Sequence, residues 1–327
     1  MFTIKKIQSF EEVKDSWLEL EKNVLSSPFQ TFWYQELFAK NFIEKKNIYI
    51  LQITDNSKII ALIPFEKNND KLLLIGMKPI FGDKEITDYG DLIIDQKILD
   101  NKDTLQTIWE LIIKSVRPDG IREIQIDYVR EDNPLFFLFD KYEKKVQQIA
   151  PILYLPSSWN EYLAKLDRKN RHELRRKIRR LETKKYSLSF PENLSQENYN
   201  QFVRLHRMSK QSKNDFMTDQ MKDFFWQAAT ATKEIWPMKI CQLDIDNQPA
   251  ASAVYYQNHN QIMLYNSGYD PEYNYYSVGL LLVAFLIKKS IEDGFITFDF
   301  LRGDERYKYD LGGKDVRLYQ IKLKVKS

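Results

Sequence analysis

Gln261-Ile-Met-Leu-Tyr-Asn-Ser-Gly-Tyr-Asp270, then Pro271-Glu-Tyr-Asn-Tyr-Tyr-Ser-Val-Gly279, then a mostly apolar stretch from Leu280 to Ile291 decide the fold of this 327-residue chain. The first block alternates as a strand does, the second is polar and turn-forming, and the third has the length and spacing of a helix. A strand that turns through a short loop into a helix leaves the first N–H groups of that helix unpaired, at the positive end of its dipole. Phosphate binds such an end, and Gly279 lets it approach the backbone while Ser277 caps the helix or donates to an oxygen. Asn274, Ser277, Val278, Gly279 and Leu280 are therefore candidate donor-binding residues. Read alone, Ser-x-Gly before a helix is equally an ordinary helix start.

Outward from this stretch, the same order of elements occurs twice. Ile48–Asp55 and Lys58–Phe65 flank an Asp55-Asn56 turn, and Met238–Ile245 and Ala250–Tyr256 flank an Asp246-Asn247 turn, each pair reading as a hairpin. A helix follows in both halves, Leu105–Val116 and Val278–Ile291, closed by Asp119-Gly120 and Asp293-Gly294, then a strand, Ile121–Val129 and Phe295–Leu301. The expected fold class is α/β with a mixed α+β sheet, in two tandem domains, 1–150 and 151–327, that share a sheet or pack face to face. The boundary falls near Ala150–Trp159, where Pro151, Pro156 and Ser157-Ser158 interrupt an apolar strand. The first copy has Gln96–Asp103 before its helix and Tyr128–Pro134 after its last strand, without the glycine turn. It is expected to be degenerate and to shape an acceptor cleft. Phe29 and Gln30 line that cleft from the first lobe, or serve as an ordinary helix-entry staple.

Composition narrows the function. Hydrophobic residues make up 43% and charged residues 29%, with 10 Gly and 11 Pro, a globular balance. A single cysteine, Cys241, rules out an internal disulfide framework, and three histidines with no i, i+4 pair make a metal site unexpected. Cys241 reads as a buried, inert thiol and His206 as a packed ring. The apolar run Leu280–Ile287 is too short to span a bilayer and the first residues lack a signal-peptide core, so the expectation is a cytoplasmic protein without a transmembrane segment. Net charge is +3, but Lys165–Lys185 holds eleven Lys/Arg against three acids, with Leu163, Leu166, Leu174, Ile178 and Leu181 at helical steps. Arg175 and Arg179 share one face of this amphipathic helix, which is either a solvated surface or a site for a phosphate-bearing substrate. No motif for reading DNA accompanies it.

Resemblance sharpens this picture. Asn274-x-x-Ser277-x-Gly279 is similar to the Gln/Arg-x-x-Gly-x-Gly/Ala loop that holds the coenzyme A pyrophosphate in GNAT acetyltransferases, departing at the first two marked positions. Phe298–Gly312 resembles the strand and loop of the CelD-like GNAT branch, as do the Arg-rich stretch Arg168–Arg180 and Phe29-Gln30-Thr31-Phe32-Trp33. Tyr307-Lys308-x-x-Leu311-Gly312 resembles the Phe-Lys-x-x-Phe-Gly segment of Fem-type peptidoglycan bridge aminoacyltransferases, which are also duplicated GNAT folds. The resemblance implies an acyl-CoA donor, no metal, and a backbone N–H of Leu264–Asn266, around Tyr265, that binds the acyl oxygen.

Acyl transfer to an amine needs a proton acceptor, oxyanion stabilisation and a proton for the leaving group. Arg302, Asp304, Glu305, Tyr307 and Lys308 follow a strand's carboxyl end, where ligands gather in open sheets. Asp304 or Glu305 takes the proton, Lys308 stabilises the tetrahedral intermediate and Tyr307 protonates the leaving group or packs against the donor; the alternative is a structural ion-pair loop. Three functions follow in order: an acyl-CoA-dependent N-acyltransferase acting on an amine of a sugar, peptide or cell-envelope precursor; an aminoacyl-tRNA-dependent transferase extending a peptidoglycan precursor; and a non-catalytic GNAT-like binding module.

Overall fold

The computed structural model describes residues 2–24, 27–82, 85–231 and 235–325. The chain forms two units, Met1–Ile149 with Val316–Ser327, and Ala150–Asp315. In the first unit β1 (Phe2–Ile7), α1 (Phe10–Leu20) and α2 (Phe32–Phe42) precede β2 (Ile48–Asp55), β3 (Lys58–Asn68), β4 (Lys71–Leu74) and β5 (Ile93–Ile94), followed by α3 (Lys102–Val116) and β6 (Glu123–Arg130). Its strands run in the order β1-β2-β3-β4-β6, with β5 on β3. The β2–β3 hairpin turns through Asn56 and Ser57, φ 46° and 70°, one residue beyond the expected Asp55-Asn56. Two consecutive left-handed residues match the turn to the twist of the strands it joins.

β7 (Glu143–Tyr154) leads into the second unit. There follow α4 (Trp159–Lys165), α5 (Arg168–Leu181), β8 (Tyr186–Ser189), α6 (Gln196–Ser209), α7 (Gln211–Phe216), α8 (Asp219–Ala231), β9 (Met238–Ile245), β10 (Gln248–Gln257), β11 (Gln261–Tyr269), α9 (Val278–Glu292), β12 (Thr297–Asp299), α10 (Arg306–Asp310) and β13 (Lys314–Lys324). The sheet of this unit runs β7-β12-β11-β10-β9-β8. The repeat read from sequence is present and longer than expected. Both units carry three antiparallel strands, a helix, and a strand parallel to the third: β2-β3-β4, α3, β6, and β9-β10-β11, α9, β12.

Two expectations need correction. The basic segment is two helices, because Asp167 caps α5 by accepting from Asn170 N at 2.8 Å while Leu166 is extended. The last strand, assigned by sequence to the domain 151–327, belongs to the first unit instead. β13 pairs antiparallel with β6 from Leu318↔Arg130 to Lys324↔Glu123, and Leu318, Ile321 and Leu323 are buried. A strand with one apolar face joins the sheet where that face is covered, wherever it lies in the chain.

A bulge shapes the second sheet. Between β10 and β11 the register steps from Val254↔Asn266 to Tyr255↔Leu264, so Tyr265 has no opposite number. One extra residue reverses which side chains face which way. Ile262, Leu264 and, beyond the bulge, Tyr269 join the core built with α9, whereas Asn266 and Gly268 meet α6. A Cβ on Gly268 would lie 2.2 Å from His206 N and 2.5 Å from the Leu205 carbonyl carbon, so the α6 backbone rests directly on the strand. Gly268→Ala is expected to lower stability by about 3 kcal/mol through overpacking. A urea midpoint followed by circular dichroism checks this.

Candidate acyl-transfer site in the second unit

The site starts from a divergence of two strands. β11 and β12 pair in parallel only from Gln261↔Thr297 to Met263↔Asp299, and β11 then continues to Tyr269. The bulge at Tyr265 falls in this continued part, where β12 no longer pairs with β11 and the register against β10 shifts. The sequence-derived oxyanion segment Leu264–Asn266 thus lies where two parallel strands separate. The Tyr265 ring packs edge-on against Phe225 at 5.6 Å.

The loop after β12 is held from within. Asp299, fully buried, accepts from Leu301 N at 2.7 Å, and Leu301 and Gly303 adopt φ 56° and 115°. That winding turns the carbonyls of Leu301, Arg302 and Gly303 toward one point. Lys308 Nζ fills it, donating to them at 3.0, 2.8 and 3.1 Å, and lies 3.0 Å from Glu305 Oε2. Lys308 is 3% exposed and its three N–H bonds are matched to three carbonyls. This corrects the reading of Lys308 as the group aimed at the tetrahedral intermediate: its ammonium is a pin that fixes the loop. Arg302 is half-buried and Asp304 exposed on the same loop. Tyr307 packs edge-on to Phe300 at 6.3 Å, and burial, then the Glu305 charge, push its phenol well above the ordinary range.

Beside this loop stands a cluster that the sequence reading missed. Lys213 on α7 donates to the Ser267 carbonyl of β11. Burial, and then Lys210, lower its ammonium to about 8, against a counteracting pull from Glu305. Burial alone would raise the Glu305 carboxyl, but Lys308 and Lys213 outweigh it and hold the group below its ordinary value. Glu305 is for that reason a poor proton acceptor. His206 lies against Asn266, Nε2 to Oδ1 3.0 Å, and its buried Nδ1 has no hydrogen-bond partner. Burial and the neighbouring Lys213 depress the ring to about 3, so it is neutral. No sequence pattern pointed to Lys213, because α7 is too short to show a period. Cys241 is buried mid-strand and burial pushes its thiol up, as expected for an inert group.

The start of α9 differs from its counterpart in the first unit. Asn101 caps α3 with its own side chain, accepting from Thr104 N at 2.9 Å. Ser277, in the left-handed region at φ 56°, makes no such bond to α9, against the expectation that its hydroxyl caps the helix. Gly279 also differs from expectation: a Cβ there would lie 3.0 Å from Tyr269 Cδ1, so its smallness accommodates the tyrosine ring. Val278 is buried and Asn274 precedes the turn, its carbonyl accepting from Ser277 N at 3.0 Å. Leu280 faces a cavity of about 230 Å³ lined also by Lys169, Lys177 and Arg306. Arg180 ties α5 to the loop before α9, donating to the Tyr275 carbonyl at 2.5 Å with its guanidinium over the Tyr275 ring. Arg175 and Arg179 are exposed on α5. Phe29 and Gln30, by contrast, are core residues of the first unit. Phe29 is fully buried against Tyr34 and Tyr89, and Gln30 donates to the Tyr89 carbonyl at 2.7 Å; neither presents a surface to a ligand. Among the described residues no group of His, Cys, Asp and Glu is placed to hold a metal ion.

Two outcomes follow for this site. Lys308→Met is expected to destabilise the second unit by about 3 kcal/mol, since buried carbonyls lose their donor, and to open the 301–305 loop to protease. Limited proteolysis with a urea titration reads both. For His206, the folded ring refuses a proton that the unfolded ring takes up below its ordinary 6.5. Its contribution is therefore complete above pH 6.5 and drains as pH falls toward 3, at up to about 1.4 kcal/mol per pH unit. The pH 7 to pH 4.5 loss of stability should be smaller by about 2 kcal/mol in His206→Gln than in the wild type.

Comparison with known proteins agrees with this construction. Residues 168–309 match the family described as acetyltransferase (GNAT) domain. No curated protein matches the chain. Among solved structures, FemX is similar with a TM-score of 0.62 at 11% identity, over 97% of this chain and 96% of that one. The C-terminal domain of a putative lysylphosphatidylglycerol synthetase from Agrobacterium fabrum is similar with a TM-score of 0.54 at 11% identity, over 96% and 92%. A tandem GNAT protein from the clavulanic acid biosynthesis pathway gives 0.51 at 8% identity, over 100% and 99%. These likenesses show a shared fold. The segment 168–309 thus matches the GNAT acetyltransferase domain family, in a chain whose fold is similar to that of a tandem GNAT protein.

Proposed function

We propose that this chain is an N-acyltransferase that moves an acyl group from acyl-CoA to a primary amine of a sugar, peptide or cell-envelope precursor. The observation that carries the reading is the cationic cavity at the first turn of α9. Lys169, Lys177 and Arg306, with the carboxylates of Glu173 and Asp310 among them, line a space of about 230 Å³ that Leu280 also borders, beside a helix end with no side-chain cap. Uncapped N–H groups and a lining of three cations against two acids together favour a phosphate-bearing donor over a neutral one. The separation of β11 from β12 supports placing the acyl group beside the 264–266 segment, where backbone N–H groups stabilise an oxyanion. The first unit, whose corresponding helix is closed by Asn101, fits a role in shaping the acceptor side, and the division near residue 150 fits that separation of tasks.

Aminoacyl-tRNA as the donor is the second reading, favoured by the exposed Arg175 and Arg179 on α5, which suit an extended polyanion better than one coenzyme. Calorimetry with acetyl-CoA tests the first reading. The wild type should bind, and Lys177→Glu with Arg306→Glu should weaken binding roughly tenfold or more by reversing two charges around the phosphates. Unchanged affinity in the double variant, or binding of aminoacyl-tRNA alone, would sink the acyl-CoA assignment.

A further inference from the structure

We infer that Lys213 is the proton acceptor of acyl transfer, with Glu305 and the Ser267 carbonyl as the groups that position it; this rests on the acyltransferase reading above. The geometry comes first. Lys213 reaches from α7 to the carbonyl of Ser267, on the part of β11 that has left β12. Glu305, the carboxylate of the loop that follows β12, is near enough for each charge to act on the other. Its amine is thus fastened to β11 beyond the point where β12 ends, within the electrostatic reach of the loop pinned by Lys308. The charged and titratable groups acting on it are Lys210 just before its own helix, Glu305 on the loop, and neutral His206 on α6.

The other candidates in the loop are worse acceptors. Glu305 is held ionised by two cations, and a carboxylate below its ordinary range takes a proton from an ammonium poorly. Tyr307 keeps its proton. Lys308 is consumed by three carbonyls. Lys213 alone in this group is lowered into the range where a base works at neutral to mildly alkaline pH.

The step balances as follows. Neutral Lys213 takes one proton from the acceptor ammonium, and the freed amine attacks the thioester carbon, forming the C–N bond. The tetrahedral intermediate loses a second N–H proton to water, and the C–S bond breaks with its electron pair going to sulfur. The Lys213 ammonium returns its proton to the thiolate, leaving amide and thiol with one proton released to solvent.

Two measurements on the full chain decide this. Competitive labelling with isotope-coded acetic anhydride across pH 6–11, read by mass spectrometry, gives the titration midpoint of Lys213. A midpoint near pH 8, moved lower in Glu305→Gln, is expected; a midpoint in the ordinary lysine range overturns the inference. Thiol release from acetyl-CoA, with a panel of amino sugars and peptide amines as acceptors, gives the pH–rate profile. Lys213→Arg and Lys213→Gln should both lose roughly a hundredfold in rate and the rise near pH 8, while acetyl-CoA affinity holds within about threefold. Variants that keep the wild-type rate and pH rise overturn it as well. Absence of acetyl-CoA binding by the wild type would instead remove the donor reading, while the labelling midpoint still decides whether Lys213 has a proton to exchange.

Discussion

One buried ammonium holds the site together. Lys308 Nζ gathers the carbonyls of Leu301, Arg302 and Gly303, and those carbonyls converge only because two of the three residues wind left-handed. Left-handed backbone at Leu301 is unfavourable for a branched residue, and the surroundings must over-determine it. Asp299 fixes the turn from one end, accepting from Leu301 N, and Lys308 fixes it from the other. Glu305 is placed by the same arrangement, through its ion pair with Lys308. The electrostatics of Lys213 depend in turn on where Glu305 stands. A charge that looks available for chemistry in the sequence is thereby spent on geometry.

Much of the fold was legible because its signals are local. Alternation marked β9, β10 and β11, and the Asp246-Asn247 turn sits where the hairpin bends, both residues left-handed. Gly120 and Gly294 close their helical segments at φ 73° and 81°, as a glycine after the last turn implies. What was not legible depends on distant parts of the chain. Nothing local says that the strand 314–324 pairs with β6 rather than with its neighbours in sequence. Nothing local says that the helical pattern through Leu166 breaks, since Asp167 fits a helix face as well as a cap.

The site was legible as a region and not as a set of roles. The stretches 261–280 and 298–312 were recognised, and the structure brings β11, the loop after β12 and the start of α9 into one unit. Roles went astray where they depend on what a side chain meets. Gly279 reads as room for a phosphate and meets Tyr269; Phe29 reads as a cleft residue and is closed into an aromatic cluster. Lys213 carries no motif, and the lowering of its ammonium arises from burial and the charge of Lys210, which no local pattern shows.

The exchange of the final strand has a consequence for synthesis. β6 is paired with β4 on one edge, and its other edge is completed by residues made nearly two hundred positions later, as in the pairing of Val129 with Tyr319. During translation the first unit must wait with an open edge, a template for wrong pairing, while the whole acetyltransferase domain emerges. Such long-range closure is slow to form. The nascent chain is thus ordered in time: the second unit has all its strands before the first can close, and the unit made first is the last to be sealed.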